Sequence, residues 1–313
     1  MGRAECFGKC QKLAYDARME RLRTILTMLW LCVAPMFADQ AASSPITVNI
    51  RLTHNRILIP SKLNNTPATI LLDSACTIPT LHPSIIDQLG LQPSGSVNIE
   101  GIAGEEHAPT YRGVVFKMGD AEYAPRRVAS IPSERNDSHR RRDGLIGSGF
   151  LRQWVVEMDT RQSLIRLHAP TNFVYSGHGE VVPFRFRPRD EIPIVEASIV
   201  VSNKPVKAEF EIDTGCDSGL CLGSHFVREN QLLDSVESHS SEKFGIGGSV
   251  ETKSGTVPIL RLGKLDVLKP QTDFFQAGSP VDEPLAGHIG MGLLHRYKVI
   301  FDYARMRLIL EPY

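Results

Sequence analysis

The feature that most constrains this chain is a repeated segment in which an apolar strand runs into a turn at an aspartate. Residues 210–216 read Phe-Glu-Ile-Asp-Thr-Gly-Cys, and residues 70–76 read Ile-Leu-Leu-Asp-Ser-Ala-Cys. In both copies a small hydroxyl residue follows the aspartate, and a cysteine lies three residues after it. One Asp-Thr-Gly alone is typical of an ordinary tight turn, because aspartate and glycine are common turn residues. The second copy is therefore what makes the segment informative.

A longer repeat surrounds the two segments. Asp73 and Asp213 lie 140 residues apart, and four further features follow each of them in the same order and at nearly the same spacing. The matching features are residues 101–104 with 245–248, 144–147 with 287–290, Trp154 with Tyr297, and Asp159 with Asp302. Such self-similarity indicates a tandem duplication. We expect two lobes, residues 45–175 and 176–313, in which Asp159 and Asp302 serve as strand-end or turn residues.

The composition predicts a mostly β protein. Short apolar runs alternate with Gly, Pro, Asn and Asp, and long helical periodicity is scarce. A short helix is predicted over residues 81–90, with Pro83 in its first turn and Gly90 at its end. A matching helix is predicted around residues 224–233, and a hairpin turn at residues 188–191. The 35 basic and 35 acidic residues give no net charge, which argues against nucleic acid as the main partner.

The first 42 residues are interpreted as a leader. Arg21 and Arg23 precede a short apolar run, and small residues suited to cleavage follow it, as in a secretory signal peptide. Met19 gives such a signal an ordinary length and is a better start than Met1. The apolar run is short for a membrane span. We expect an exported protein without a stable membrane span after leader removal; a retained N-terminal membrane anchor is the alternative.

The sequence contains no motif for a metal or a cofactor. It has no His-Glu-x-x-His, no Cys-His pattern with metal spacing and no phosphate-binding glycine loop. We therefore expect neither a metal nor a cofactor. Outside the leader only Cys76, Cys216 and Cys221 remain, which is not a disulfide framework. They are interpreted as small buried residues beside the two aspartate turns.

Together these motifs resemble the aspartic proteases of the pepsin and retropepsin type over residues 46–313. That family carries Asp-Thr/Ser-Gly, a glycine-bearing flap, and two apolar residues followed by glycine. Residues 213–215 match the first motif in full, whereas Ala75 replaces the glycine in the upstream copy. The third motif is represented by residues 145–147 and 288–290, where His288 is not apolar. The short lobes and the paired Gly-Ile-x-Gly segments are more similar to two fused retropepsin monomers than to large pepsins.

The resemblance implies a two-lobed acid-protease fold with duplicated β-barrel lobes related by a pseudo-twofold axis, acting as a monomer on a peptide or protein substrate. Asp73 and Asp213 would form the catalytic dyad, supported by the active-site loop residues Ser74, Ala75, Thr214 and Gly215. The flaps that close over the substrate would contain Gly101, Ile102, Gly104, Gly245, Ile246 and Gly248. Such a dyad shares one proton, so an acid to weakly acid pH optimum is expected.

Two functions remain open from the sequence. The first is an active, exported aspartic endopeptidase. The second is a catalytically silent pseudoprotease that keeps the fold and binds peptides in the cleft. Ala75 supports the second function, because a methyl group there could crowd the loop. The aspartate and hydroxyl residues kept in both copies support the first.

Overall fold

The short apolar runs of the sequence form β-strands, as predicted. In the described ranges, residues 44–132, 142–188, 190–201, 204–276 and 285–313, the computed structural model of the protein contains 25 strands and four short α-helices. The strands of the first half are β1 Ile46–Asn49, β2 Arg51–Thr53, β3 Arg56–Leu63, β4 Thr66–Leu72, β5 Thr80–Leu81, β6 Gly95–Gly101, β7 Gly104–Tyr111, β8 Phe116–Met118, β9 Ala121–Tyr123, β10 Val128–Ser130, β11 Gly144–Ile146, β12 Val155–Asp159 and β13 Leu164–His168.

The second half repeats much of this order. Its strands are β14 Glu180–Phe186, β15 Pro193–Val201, β16 Lys204–Asp213, β17 Leu220–Leu222, β18 Ser238–Gly245, β19 Gly248–Thr256, β20 Ile259–Leu262, β21 Leu265–Leu268, β22 Gln271–Phe275, β23 Gly287–Gly290, β24 Tyr297–Asp302 and β25 Arg307–Pro312. The helices are α1 Pro83–Leu89, α2 Ser148–Leu151, α3 Ser224–Glu229 and α4 Met291–Leu294. Short 3-10 turns cover Leu232–Asp234 and Tyr303–Arg305.

Each half places its aspartate segment beside its later glycine motif. In the first half β4 runs parallel to β11, with Ile70 opposite Gly144, and β11 also pairs antiparallel with β5. In the second half β16 runs parallel to β23, with Phe210 opposite Gly287, and β23 pairs antiparallel with β17. The two arrangements match strand for strand, so the duplication read from the sequence is also a duplication of structure.

One sheet contains strands from both halves. Its order begins β1-β13-β12-β24-β25-β14 and continues from β14 through β15 and β16. The two halves meet where β12 pairs antiparallel with β24. At this junction Met158 lies opposite Val299 and Val155 lies opposite Asp302. Alternate residues of β12 and β24 are buried in the hydrophobic core. The shared sheet therefore joins the two halves.

The predicted short helices and the predicted hairpin turn are confirmed. Helix α1 begins at Pro83 and ends before Gly90, whose positive φ of 61° suits glycine. His82 caps this helix, because its Nδ1 accepts a hydrogen bond from the backbone N–H of Ser84 at 3.2 Å. Helix α3 and the following 3-10 turn cover the predicted helical segment of the second half. The predicted turn between β14 and β15 is confirmed, with Phe186 opposite Pro193.

Asp159 and Asp302 have the structural roles that the sequence predicts. Asp159 Oδ1 accepts a hydrogen bond from the backbone N–H of Gln162 at 2.9 Å in the turn after β12. Asp302 Oδ1 likewise accepts from the backbone N–H of Arg305 at 3.2 Å. The predicted leader lies outside the described residues. Within the described part of the chain, no helix is both long and apolar enough to cross a membrane.

Candidate active site

Asp73 and Asp213 meet at the floor of a cleft, each in the turn that follows a buried strand. The backbone N–H of Asp73 donates to the carbonyl of Ile146 at 2.9 Å, which ties the first turn to β11. On the other side Asp213 lies opposite Gly290 in the parallel pair β16–β23. Both aspartates line the same cavity of about 430 Å³. The structure thus brings together two side chains that lie 140 residues apart in the sequence.

Ser74 and Thr214 connect the two turns by reciprocal hydrogen bonds. The backbone N–H of Ser74 donates to Thr214 Oγ1 at 2.9 Å, and the backbone N–H of Thr214 donates to Ser74 Oγ at 3.0 Å. Each hydroxyl then donates to the opposite strand, Ser74 Oγ to the carbonyl of Ile212 at 2.5 Å and Thr214 Oγ1 to the carbonyl of Leu72 at 2.9 Å. Both side chains are fully buried. This network holds the aspartates face to face.

Backbone N–H groups orient each carboxylate. Asp73 Oδ1 accepts a hydrogen bond from the N–H of Ala75 at 2.9 Å. Asp213 Oδ1 accepts from the N–H of Gly215 at 2.8 Å and from that of Cys216 at 3.2 Å. Hydrogen bonds to a carboxylate favour its ionised form. Asp213 therefore receives more stabilisation as an anion than Asp73 does.

Ala75 and Gly215, which follow the hydroxyl residues of the two turns, differ in their steric surroundings. A Cβ on Gly215 would lie 2.5 Å from Cγ and 2.6 Å from Oδ2 of Asp73, so glycine is required there on steric grounds. Ala75, at the corresponding place in the first turn, is partly exposed and lines the cleft. Its φ is negative, so its backbone needs no glycine. The departure of Ala75 from the family motif leaves the hydrogen bond from its N–H to Asp73 intact.

Two hairpins cover the cleft, and they contain all of the residues predicted as flaps. Strands β6 and β7 pair up to Gly101 and Gly104, and strands β18 and β19 pair up to Gly245 and Gly248. The two tips meet, since the N–H of Ala103 donates to the carbonyl of Ile246 at 3.1 Å. A side chain on Gly101 would collide with Ile246. Ile102 and Ile246 line the cavity above the aspartates.

Comparisons with known proteins agree with this geometry. Residues 59–150 match the family model described as aspartyl protease. The structure is similar to the crystal structure of aspartic proteinase from Irpex lacteus, with a TM-score of 0.57 and 12% sequence identity over 86% of this chain and 97% of that chain. No curated protein sequence matches the chain.

The chain has the fold of an aspartic protease. The predicted fold and resemblance are confirmed, and the match to the family model contains the first turn, the first flap and the Leu145-Ile146-Gly147 motif. The described residues that line the cleft of this aspartic-protease fold extend from Arg56 in β3 to His288 in β23, with contributions from both halves of the chain.

The walls of the cleft differ between the two halves of the molecule. Beside the first turn a cluster of apolar side chains lies under the flap: Ile78, Val97, Ile99, Ala108, Ala129 and Ile131. Beside the second turn the matching region is polar. Lys243 Nζ lies 2.8 Å from Asp273 Oδ2 and donates to Ser218 Oγ at 2.7 Å, and Ser254 also donates to Asp273. By strand register Lys243 corresponds to Ile99, and Asp273 to Ala129.

A second polar group contacts Asp213 directly and was not predicted as functional from the sequence. His288 Nδ1 lies 3.5 Å from Asp213 Oδ2 and 3.7 Å from Glu211 Oε2. Glu211 is buried, and its Oε1 accepts from Arg187 Nη1 at 2.8 Å. Arg187 also forms a two-pronged ion pair with Asp190 in the turn between β14 and β15. The sequence signal for this group was Glu211, a charged residue between the apolar residues Phe210 and Ile212.

The surroundings shift the pKa values of the two aspartates in opposite directions. Burial, followed by the negative charge of Asp213, raises the pKa of Asp73 to about 8, although Arg142 at the cleft wall opposes this shift. Burial would also raise the pKa of Asp213, but its contact with His288 and its backbone N–H partners hold that pKa below the ordinary value. The two aspartates are therefore electrostatically unequal, with Asp73 as the protonated member near neutral pH.

The three cysteines line the same cleft as the two aspartates. Cys76 Sγ donates to the carbonyl of Ile78 at 3.1 Å, and the sulfur atoms of Cys216 and Cys221 are 3.2 Å apart. Burial raises the pKa of the Cys76 thiol well above its usual value, so this thiol is neutral. In the described ranges no group of three or more His, Cys, Asp or Glu side chains is arranged to hold a metal ion.

Proposed function

We propose that this chain is an aspartic endopeptidase that hydrolyses peptide bonds with a water molecule activated by Asp73 and Asp213. The observation that carries this proposal is the reciprocal hydrogen bonding of Ser74 and Thr214, which holds the two carboxyl groups together at the floor of a covered cleft. Such rigid placement of an acid beside a base is what general acid–base hydrolysis needs.

The chemistry follows from one proton shared between two carboxyl groups. The ionised carboxylate removes a proton from the attacking water while the protonated carboxyl donates its proton to the oxygen of the scissile carbonyl. The C–O bond to water forms as the carbonyl π bond opens, which produces a neutral tetrahedral diol. The carboxyl group that took the proton from water then gives it to the amide nitrogen, while the other, now ionised, takes a proton from a hydroxyl of the diol. The C–N bond breaks, which releases a carboxylic acid and an amine and returns the pair of carboxyl groups to its starting protonation state. In the proposed mechanism the two flaps close over the peptide and exclude bulk water.

Ala75 is the observation that favours the alternative, a silent peptide-binding pseudoprotease. Its negative φ and its intact hydrogen bond to Asp73 weaken that alternative, because neither the turn nor the carboxylate is disturbed. The buried carboxyl group of Asp73, whose pKa is raised to about 8, also supports catalysis, since strongly shifted pKa values cluster at catalytic sites.

Digestion of a peptide library tests the proposed function. We expect internal peptide bonds to be cleaved between weakly acid and neutral pH, and we expect a pepstatin-type inhibitor to block the cleavage. Retention of intact peptides on the protein without any cleavage would support the silent peptide-binding function instead. The proposal extends to location: the chain is exported, with a mature N-terminus between Asp39 and Pro45, because a signal-like segment precedes the first lobe in the sequence.

A further inference from the structure

The polar group beside the dyad belongs to one half of the molecule only. His288 lies opposite Glu211 in the pairing of β23 with β16. The corresponding pair in the first half is Leu145 opposite Leu71, in β11 and β4. In the first half, the pair next to Asp73 thus consists of two leucines. In the second half, the equivalent pair next to Asp213 consists of an imidazole and a carboxylate. A charged pair in place of two leucines, next to a carboxylate, must change how that carboxylate ionises.

We infer that His288 is a positioning residue that keeps Asp213 ionised and leaves the shared proton on Asp73. This inference rests on the proposed function for its catalytic meaning. It assigns the roles within the dyad: Asp213 is the base that takes a proton from water, and Asp73 is the acid that donates its proton to the carbonyl oxygen. After this step Asp213 is neutral and Asp73 is ionised, so charge and protons balance.

The charges around His288 favour its protonated form. On β16 it faces the carboxylates of Glu211 and Asp213, and on β17 its neighbour in register is the thiol of Cys221. Glu211 also accepts a hydrogen bond from Arg187, which in turn forms an ion pair with Asp190. Burial would lower the pKa of His288, but the contact with Asp213 and the charge of Glu211 raise it to about 9. An imidazolium thus lies between two carboxylates over the pH range in which the dyad would work.

The inference explains why the dyad is unequal although the two turns are built alike. Asp213 has an imidazolium and two backbone N–H groups near it. Asp73 accepts one backbone N–H and faces the negative charge of its partner. An opposite charge within about 4–6 Å typically lowers a carboxyl pKa by roughly 1–3 units. Removal of the imidazole should therefore raise the lower pKa of the dyad.

The first experiment needs no catalytic activity. The Cε1–H signal of His288 is followed by NMR against pH in the wild-type protein and in the Asp213→Asn variant. We expect the wild-type imidazole to titrate well above its usual value, and we expect its midpoint to fall by about one pH unit or more when the charge on residue 213 is removed. The same midpoint in both proteins, or an ordinary midpoint in the wild type, would overturn the inference.

The second experiment compares pH profiles of kcat/KM. The variants are His288→Gln and His288→Leu, the second of which copies Leu145 of the first half. We expect the acid limb of both profiles to move to higher pH by about one unit or more. At pH values below the new limb, kcat/KM should fall about tenfold for each unit of that shift. The control is His178→Gln, since His178 is exposed and lies outside the residues that line the cleft. Its profile should match the wild type.

The two experiments separate this inference from the proposed function. An unchanged acid limb in both His288 variants, with an active wild type, refutes the inference and leaves the protease function standing. A wild type that cleaves no peptide, but in which the titration of His288 depends on Asp213, refutes the protease function and supports the electrostatic role of His288. If His288→Leu does not fold, the pH profile of His288→Gln and the NMR titration still test the inference.

Discussion

The α-carbon of Gly215 faces the carboxyl group of Asp73 so closely that a methyl group on it would lie 2.5 Å from Asp73 Cγ. The contact crosses the pseudo-twofold axis, so a residue of the second turn sets the position of the aspartate of the first. The Gly215→Ala variant should therefore displace Asp73. A shift of about 1 Å in a catalytic group can lower kcat by roughly a hundredfold, which steady-state kinetics on a cleaved peptide would measure.

The change Ala75→Gly tests whether the first turn requires alanine at this position. We expect Ala75→Gly to leave turnover unchanged or to raise it, because glycine lets the loop approach the substrate more closely. Stability should fall by up to about 1 kcal/mol, since glycine gains freedom in the unfolded chain where alanine already fits. Kinetics and urea unfolding of the variant check both expectations. A strong loss of turnover, together with a harmless Gly215→Ala, would contradict our account of the two turns.

The hydrogen bonds between the turns should contribute measurably to folding. Thr214→Val keeps the shape of the side chain but removes the acceptor of the Ser74 N–H and the donor to the carbonyl of Leu72. A buried polar group left without a partner costs about 1–3 kcal/mol. We expect that loss in the free energy of unfolding, measured by urea denaturation. Thr171→Val, at an exposed position, is the matched control and should change stability little.

The pH profile of hydrolysis follows from the unequal dyad. The acid limb reflects protonation of Asp213, whose pKa is held below its ordinary value, and the alkaline limb reflects loss of the proton of Asp73, whose pKa is about 8. Activity should therefore persist from weakly acid to neutral pH and decline as the pH rises through about 8. Values of kcat/KM in constant-ionic-strength buffers test this; an alkaline limb below pH 6 would contradict the assignment of Asp73 as the acid.

The unequal walls of the cleft predict substrate preference. We expect cleaved peptides to place an apolar side chain against the cluster around Ile99 and Ile131, and a polar one near Lys243. The double change Lys243→Ile with Asp273→Ala copies Ile99 and Ala129 of the first half without leaving Asp273 buried and unpaired. It should shift the preference on that side toward apolar residues, as measured by sequencing library products. An unchanged product profile would show that this wall does not contact substrate.

The sequence was sufficient to predict the fold, because the duplication placed two aspartate turns, two flaps and two glycine motifs in one order. It also predicted helix α1, whose start at Pro83 and end at Gly90 depend on local backbone preferences alone. The shared sheet and the contact between the flap tips were not predicted. Both are pairings between the two halves, and no pattern within a single strand specifies a partner so far away in the sequence.

The role of His288 was missed for a related reason. His288 stands in the place of an apolar residue, and Glu211 is a charged residue between Phe210 and Ile212. Only the register of β16 and β23 shows that His288 and Glu211 lie opposite each other. Arg187 comes from the turn between β14 and β15, which the sequence predicts as a hairpin without indicating that it reaches the cleft. Side-chain networks of this kind depend on tertiary geometry, whereas the aspartates were found because their context is repeated.

The measurement that tests the central claim most directly is the turnover of one cleaved peptide by the wild type, Asp73→Asn and Asp213→Asn. Asparagine keeps the carbonyl oxygen that accepts the backbone N–H of Ala75 or Gly215, so both variants should unfold at temperatures close to that of the wild type. Each should lose essentially all hydrolysis, because neither can share the proton of the dyad. Near-normal turnover in either folded variant would contradict the claim that Asp73 and Asp213 together activate the water.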